Sequence, residues 1–203
     1  MVKVLVVLAL LGAAAFGAAA QGADRIAPVL EDDGIYTQSW FVRSFLDLNE
    51  DLADAHAEGK ILVIVFEQKG CPYCREMHTG HLADARINEY VRSKFAILQL
   101  NIHGDREVTD FDGGKMAEKE LARRWGARFT PTQVFFSAVP QPVAGKPAKQ
   151  IEVLRMPGLL KPGAFYAMFK FVELGRYRDL SLSNFLDGEG AAIAKEIDDH
   201  PAQ

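Results

Sequence analysis

The chain has 203 residues, of which 49% are hydrophobic and 25% are charged, and its formal net charge is −4. This length and composition fit one globular domain with additional segments. The negative charge gives no basis for nucleic-acid binding as the main function, so we expect no nucleic acid among the partners.

Residues 1–20 have the pattern of a secretory signal peptide. Lys3 precedes an apolar run, Val4–Leu11, and the segment ends in the small residues Ala18-Ala19-Ala20. We expect cleavage near Ala20, which removes Lys3 and changes the net charge from −4 to −5 (−4 − 1). A membrane anchor is the alternative, but the run contains few large apolar residues. The mature protein is therefore expected to be soluble and exported, in a compartment where disulfides persist.

Residues 21–46 are predicted to form an extended lead-in whose apolar side chains, Trp40, Phe41, Phe45 and Leu46, pack onto the domain. The domain itself is expected to span residues 47–186. It begins with a helix over Asp47–Glu58, because Asp47 can cap the helix with Glu50 three residues later.

The next segment predicts a strand, a helix and a second strand. Ile61–Phe66 is apolar at every position, which is typical of a strand buried on both faces. A helix is predicted over 72–93, and Phe95–Ile102 has the composition of a strand. This order implies a right-handed parallel crossover, a βαβ unit.

The second half predicts two antiparallel strands and a closing helix. The expected elements are a helix over Met116–Trp125, strands over Val134–Phe136 and Gln150–Arg155, and a helix that begins near Pro162. Residues 187–203 are polar and rich in alanine, so we expect a mobile tail.

The only two cysteines of the chain, Cys71 and Cys74, lie between the first strand and the helix that follows it. Unpaired backbone N–H groups and the helix dipole stabilise a negative charge at a helix start, so Cys71 should form a thiolate readily. Cys74 lies one turn further and can close a disulfide with Cys71. Pro72 fits the first helical turn, where its missing N–H costs nothing. This layout predicts a thiol–disulfide redox site.

The Cys71–Cys74 pair, combined with the segment Gly126–Thr132 about sixty residues later, resembles the thioredoxin superfamily. The resemblance covers roughly residues 47–175. It implies an α/β thioredoxin fold, with a central mixed sheet built from a βαβ half and a ββα half, flanked by helices and extended at both termini. It also implies that Pro131 is cis, faces the cysteines and follows Thr130, whose backbone pairs with the target peptide as an added strand.

Within this superfamily, three stretches are similar to the SoxW group of exported thioredoxins of sulfur-oxidising bacteria: residues 66–74, 101–113 and 155–158. That resemblance implies a periplasmic thiol–disulfide oxidoreductase that reduces disulfides of other exported proteins. It further implies that a membrane electron donor of the CcdA/DsbD type reduces the Cys71–Cys74 disulfide. Sulfur oxidation and cytochrome maturation are the pathways such a protein could serve.

The chain departs from most thioredoxins at two places. Pro72-Tyr73 separates the cysteines, where most thioredoxins have Gly-Pro, and Val65 occupies the place of their buried aspartate. Glu67, two residues later on the same face of the strand, is a candidate proton acceptor for Cys74, although it could equally bond only to its neighbours or to solvent. The candidate catalytic residues are Cys71, Cys74 and Glu67, and the candidate target-binding residues are Pro72, Tyr73, Thr130 and Pro131.

Two other functions are compatible with the same residues. Cys71, Cys74, His78 and His81 fall within one face of an ideal helix, about 80° wide, which suits a zinc- or copper-binding module. A disulfide oxidase or isomerase on the same fold has the same motif. We expect no cofactor and no bound metal for the redox function, and a monomer by default.

Overall fold

The computed structural model of the protein describes residues 25–200. The predicted signal peptide, residues 1–20, lies outside the described residues, as do the first residues of the lead-in and the last three residues of the chain. Among the helices of residues 25–200, none is both long enough and apolar enough to span a bilayer.

In chain order, the strands and α-helices are β1 Val29–Leu30, β2 Tyr36–Thr37, α1 Leu48–Ala57, β3 Ile61–Glu67, α2 Pro72–Glu76, α3 Ala85–Lys94, β4 Phe95–Asn101, β5 Glu107–Thr109, β6 Lys115–Ala117, α4 Glu118–Arg124, β7 Thr132–Phe136, β8 Glu152–Pro157, α5 Pro162–Glu173, α6 Leu182–Asp187 and α7 Glu189–Asp198.

The central sheet has the strand order β4-β3-β7-β8. β3 pairs with β4 in parallel and with β7 in antiparallel orientation, and β7 pairs with β8 in antiparallel orientation. The predicted fold class is therefore confirmed: a βαβ half is followed by a ββα half, and helices flank the mixed sheet.

Strand β3 is buried at all seven positions, and its two faces contribute to two separate apolar clusters. Ile61, Val63 and Val65 pack with α3 and α5 on one face. Leu62 and Ile64, on the other face, pack with α1 and α4. The alternation of side chains along a strand produces this division, and it explains why the sequence of β3 shows no polar face.

The single helix predicted over 72–93 is interrupted. α2 continues into a π-helical turn, Met77–His81, in which the N–H of Leu82 donates to the carbonyl of Met77 at 2.8 Å. The chain then restarts as α3, whose first turn is capped by Asp84. Burial alone would raise the pKa of Asp84, but the hydrogen bonds and charge of Arg86 outweigh it and hold this pKa below its ordinary value.

The lead-in packs onto the domain, with one exception. Ile35, Phe41 and Leu46 are buried, whereas the side chain of Phe45 is 100% exposed, so the predicted packing of Phe45 is wrong. Leu46 adopts a left-handed φ of 65° and turns its own side chain into the core. Phe45, immediately before this left-handed residue, faces solvent.

The predicted mobile tail from Asp187 is instead the helix α7, which packs against α5. Ile197 is buried, and the carboxylate of Asp198 accepts a 2.9 Å hydrogen bond from the N–H of Gly163 in the first turn of α5. The segment looks polar because only one stripe of a short surface helix contacts the domain.

Because α7 is part of the folded domain, truncating its buried anchor should destabilise the whole protein. We expect Ile197→Ala to lower the free energy of unfolding by about 2–3 kcal/mol through the lost burial and the cavity it leaves. Lys195→Ala, on the exposed side of the same helix, should change this free energy by less than about 0.5 kcal/mol. Urea unfolding followed by circular dichroism measures both, and equal stabilities would show that α7 is not docked.

Candidate active site

The candidate active site begins where β3 ends. Glu67 is the last residue of β3, and Gly70 then takes a φ of 75°, a left-handed conformation that favours glycine. Cys71 follows as the N-cap of α2, with Pro72 in the first helical turn. The first cysteine therefore lies at the start of the helix that follows the strand, as the sequence predicts.

Cys71 and Cys74 form a disulfide, with their Cα atoms 5.3 Å apart. The backbone N–H of Cys74 donates to the sulfur of Cys71 at 3.1 Å. This donor stabilises negative charge on the Cys71 sulfur once the disulfide is reduced, which is the electrostatic condition for a reactive thiolate. Cys74 is the more buried of the two, at 3% exposure against 7% for Cys71.

The loop before β7 lies opposite Cys71. Phe66 in β3 pairs with Thr132 in β7, so Thr130 and Pro131 lie just beyond the end of β3, beside the helix start. The Thr130–Pro131 peptide bond is cis, which confirms the state implied by the family resemblance. The Thr130 carbonyl oxygen is 3.3 Å from the Cys71 sulfur and accepts a hydrogen bond from that group in its thiol form.

A groove with a volume of about 600 Å³ surrounds the Cys71 sulfur. It contains three of the predicted target-binding residues, Pro72, Tyr73 and Thr130. Two aromatic side chains are exposed on it: Tyr73 at 59% and Phe129 at 70%. Sequence analysis missed Phe129, although this residue directly precedes the Thr130-Pro131 pair.

Glu67, the third candidate catalytic residue, is the last residue of β3 and is completely buried. Its Oε1 and Oε2 atoms are 3.0 and 3.2 Å from Nε2 of His78. Its Oε1 also accepts a 2.8 Å hydrogen bond from the side-chain amide of Gln99. The hydrogen bonds of Glu67 therefore join it to His78 and Gln99 rather than to a sulfur atom.

The polar cluster around Glu67 extends to two further buried residues. Gln38, from the lead-in, contacts His78, and Asn88, from α3, contacts Gln38. One signal for this cluster is visible in the sequence, because His78 follows Cys74 by four residues and so belongs to the same helical face. No sequence pattern connects Gln38 with a motif forty positions away.

The ligand set predicted for a zinc or copper module does not form. The two sulfurs are bonded to each other, Nε2 of His78 faces Glu67, and Nε2 of His81 lies 2.8 Å from the Leu160 carbonyl oxygen. In the part of the chain that the structure describes, no three Cys, His, Asp or Glu side chains form a group that could hold a metal ion. The π-helical turn changes the helical phase after Met77, so the ideal-helix projection behind this prediction is wrong.

A central mixed sheet of this topology, with a Cys-x-x-Cys pair at the start of the helix after its central strand, supports thiol–disulfide oxidoreductase activity. The comparison with protein families agrees with this class. The thioredoxin-like domain family matches residues 48–173, more than half of the chain. The protein belongs to this family.

Solved structures of the same fold resemble the chain at low identity. A thioredoxin-fold protein from Helicobacter pylori is 25% identical with a TM-score of 0.48, over 68% of this chain and 84% of that one. A thioredoxin from Thermus thermophilus is 27% identical with a TM-score of 0.43, over 72% and 92% of the two chains. A DsbH oxidoreductase is 15% identical with a TM-score of 0.42, over 65% and 84%. No curated protein sequence matches the chain significantly.

The different positions of the two cysteines, with Cys71 on the groove and Cys74 more deeply buried, predict different roles for them. With a disulfide-containing target, Cys74→Ser should accumulate a mixed disulfide through Cys71, because the group that resolves it is missing. Cys71→Ser should form no adduct above background, since the remaining Cys74 is buried and does not border the groove. Mass spectrometry of the intact adducts measures both, and an adduct of equal yield on Cys74 would contradict this assignment.

Proposed function

We propose that this protein reduces disulfide bonds of other exported proteins through a cycle of the Cys71–Cys74 dithiol and disulfide. The observation that carries the proposal is the position of the Cys71 sulfur. It lies at a helix start, within 3.1 Å of the Cys74 N–H, and it borders a groove next to the Thr130 carbonyl.

The chemistry runs in two exchanges. The Cys71 thiolate attacks one sulfur of the target disulfide, a bond forms between Cys71 and the target, and the other target sulfur leaves as a thiolate. Cys74 then loses its proton and attacks the Cys71 sulfur, which breaks the mixed disulfide and releases the second target thiolate. Two electrons pass to the target, and the enzyme is left with the Cys71–Cys74 disulfide.

The groove supplies the contacts that hold the target during these exchanges. The backbone of Thr130 faces Cys71 and offers an edge to which an extended target segment can add as a strand. Tyr73 and Phe129 give this edge two exposed aromatic surfaces. Exposed aromatic side chains beside a reactive sulfur are typical anchors for a peptide partner.

The proposed setting is the periplasm. The signal-like segment 1–20 and the resemblance of residues 66–74, 101–113 and 155–158 to the SoxW group support it. In this setting a membrane dithiol carrier of the CcdA/DsbD type would return two electrons to the Cys71–Cys74 disulfide. The targets would be oxidised cysteines of exported proteins in sulfur oxidation or cytochrome maturation.

The direction of electron flow is tested by the reduction potential of the Cys71–Cys74 pair, measured by equilibrating the protein without residues 1–20 with a thiol redox buffer. We expect a value near that of thioredoxin, around −270 mV. A value near that of DsbA, around −120 mV, would contradict the reductase assignment and favour the disulfide oxidase.

The role of the groove is tested by removing its aromatic surface. The double variant Tyr73→Ala, Phe129→Ala should lower kcat/KM for a disulfide-bonded protein such as insulin by about 30-fold, because each of the two lost apolar contacts contributes roughly 1 kcal/mol. The rate with a small disulfide, which is too short to contact Tyr73 or Phe129, should change by less than about twofold. Phe45→Ala removes an exposed phenylalanine outside the groove and serves as the control. If the double variant reduced insulin at the wild-type rate, Tyr73 and Phe129 would be excluded from target binding.

A further inference from the structure

The groove beside Cys71 differs in charge from other parts of the surface. The whole chain carries a formal net charge of −4, and four other grooves on residues 25–200 each contain two to five carboxylates. Among the described residues, no carboxylate lines the groove at Cys71, and its one charged side chain is that of Arg128. An acidic protein therefore presents a cationic surface beside its reactive sulfur.

The guanidinium of Arg128 is free to bind a ligand. The residue is exposed, and within residues 25–200 no carboxylate forms an ion pair with it. Arg106 and Arg124, in contrast, are neutralised by carboxylates. Arg128 stands two residues before Thr130, whose carbonyl oxygen is 3.3 Å from the Cys71 sulfur. The free charge therefore lies on the same short segment that contacts the reactive cysteine.

A second exposed arginine, Arg75, lies on α2 directly after Cys74. It also forms no ion pair in the described part of the chain. Successive side chains on a helix point about 100° apart. Glu76, the next residue, accordingly lines a different groove together with Arg25. The nearest carboxylate of α2 thus does not line the groove at Cys71.

Lys69, two residues before Cys71, adds less to the charge of this groove. Its stem lies against the lead-in, because a Cβ atom added to Gly34 would come within 2.9 Å of Cε of Lys69. The same turn of the lead-in carries Asp32 and Asp33, whose negative charges offset that of the ammonium group. The two arginines, rather than Lys69, therefore define the charge that a target meets.

The groove combines this charge with apolar surface. A guanidinium stays ionised at every physiological pH and can pair with both oxygens of a carboxylate. Tyr73 and Phe129 are exposed beside it. In an extended target segment, the side chains two residues before and after the cysteine point to the same face as the cysteine. When the target cysteine faces Cys71, those two side chains face the groove.

We propose that the groove selects target disulfides whose cysteine has an aspartate or glutamate two residues away, and that Arg128 is the specificity-determining residue. The inference rests on the proposed thiol–disulfide exchange and names its substrate class. Carboxylates on the other grooves repel an acidic target, whereas the surface at Cys71 attracts it, so the field of the protein orients the encounter. The charge changes how fast the target reaches Cys71 and leaves the bonds that form and break unchanged.

The test uses three synthetic peptides with one cysteine each, activated as a mixed disulfide with 2-thiopyridine. They differ only in the residues two positions before and after the cysteine, which are Asp, Asn or Lys. The reduced protein without residues 1–20 attacks each peptide, and release of pyridine-2-thione is followed by stopped-flow absorbance. Each rate constant is divided by that of the same peptide with 2-mercaptoethanol, an uncharged thiol, which removes differences in the reactivity of the peptides themselves.

The wild type should react about tenfold faster with the Asp peptide than with the Lys peptide at an ionic strength of about 0.01 M, where the Debye length is about 30 Å. The Asn peptide should lie between them. At about 1 M, where the Debye length is about 3 Å, the three rates should agree within about twofold.

The variants locate the preference. Arg128→Glu should lower the ratio of the Asp rate to the Lys rate at least about tenfold at low salt, and Arg128→Gln or Arg75→Glu about threefold. The ratio is the informative quantity, because both peptides meet the same Cys71 thiolate. Any change that a substitution makes in the reactivity of this sulfur therefore cancels.

Arg123→Glu is the matched control. Arg123 is exposed on α4, forms no ion pair among residues 25–200, and does not line the groove. The substitution changes the net charge as much as Arg128→Glu does. It should leave the ratio of the Asp rate to the Lys rate within about twofold of the wild-type value.

Two results would overturn the proposal and leave the reductase assignment in place. One is a wild-type ratio near one at low salt, and the other is an equal fall of the ratio in Arg128→Glu and Arg123→Glu. The activated peptides react with Cys71 whichever way electrons flow in the cell, so a reduction potential like that of DsbA would contradict the reductase assignment alone. If no peptide released pyridine-2-thione, both proposals would fail.

Discussion

The pairing of β3 with β4 and β7 is the constraint on which the rest of the structure depends. It sets Phe66 opposite Thr132, and this register brings the segment after β3 and the segment before β7 to the same edge of the sheet. Cys71 and the Thr130–Pro131 bond meet there. A shift of the register by one residue would reverse every side chain of β3 and separate the sulfur from the Thr130 carbonyl. The apolar clusters on the two faces of β3 oppose such a shift, so core packing also fixes the geometry of the redox site.

The site combines a cysteine that borders the groove, Cys71, with a polar cluster in which every member except the partly exposed Gln99 is buried. Glu67, His78, Gln99, Gln38 and Asn88 come from different segments of the chain, and the donors of the cluster lead to backbone carbonyls and to Glu67. Such a cluster is stable only when its donors and acceptors match, because an unmatched buried group costs about 1–3 kcal/mol. The matched donors therefore hold the Glu67 carboxylate in one orientation at the end of β3.

Several features could be predicted because they depend on neighbouring residues. The uniform apolar run of β3 indicated a strand buried on both faces, and Asp47 indicated a helix cap, which its carboxylate forms with the N–H groups of Asn49 and Glu50. The predictions failed where a residue depends on its partner in space. The helix after the cysteines is broken by a π-helical turn, Phe45 faces solvent, and α7 is docked where a mobile tail was expected. For α7 the deciding contact comes from a distant segment, the helix α5.

The sequence by itself determined the class of the protein. Two cysteines separated by two residues, placed between an apolar strand and a helix start, can be recognised without coordinates because strand burial, helix capping and thiolate stabilisation are local effects. Only the tertiary structure decided what each remaining polar group does. His78 and His81 have the same chemistry and lie three residues apart, yet one binds a buried carboxylate and the other a backbone carbonyl. Their difference arises because Gln38, Glu67 and Leu160 reach them from other parts of the fold, and long-range contacts of this kind leave no periodic pattern in a single sequence.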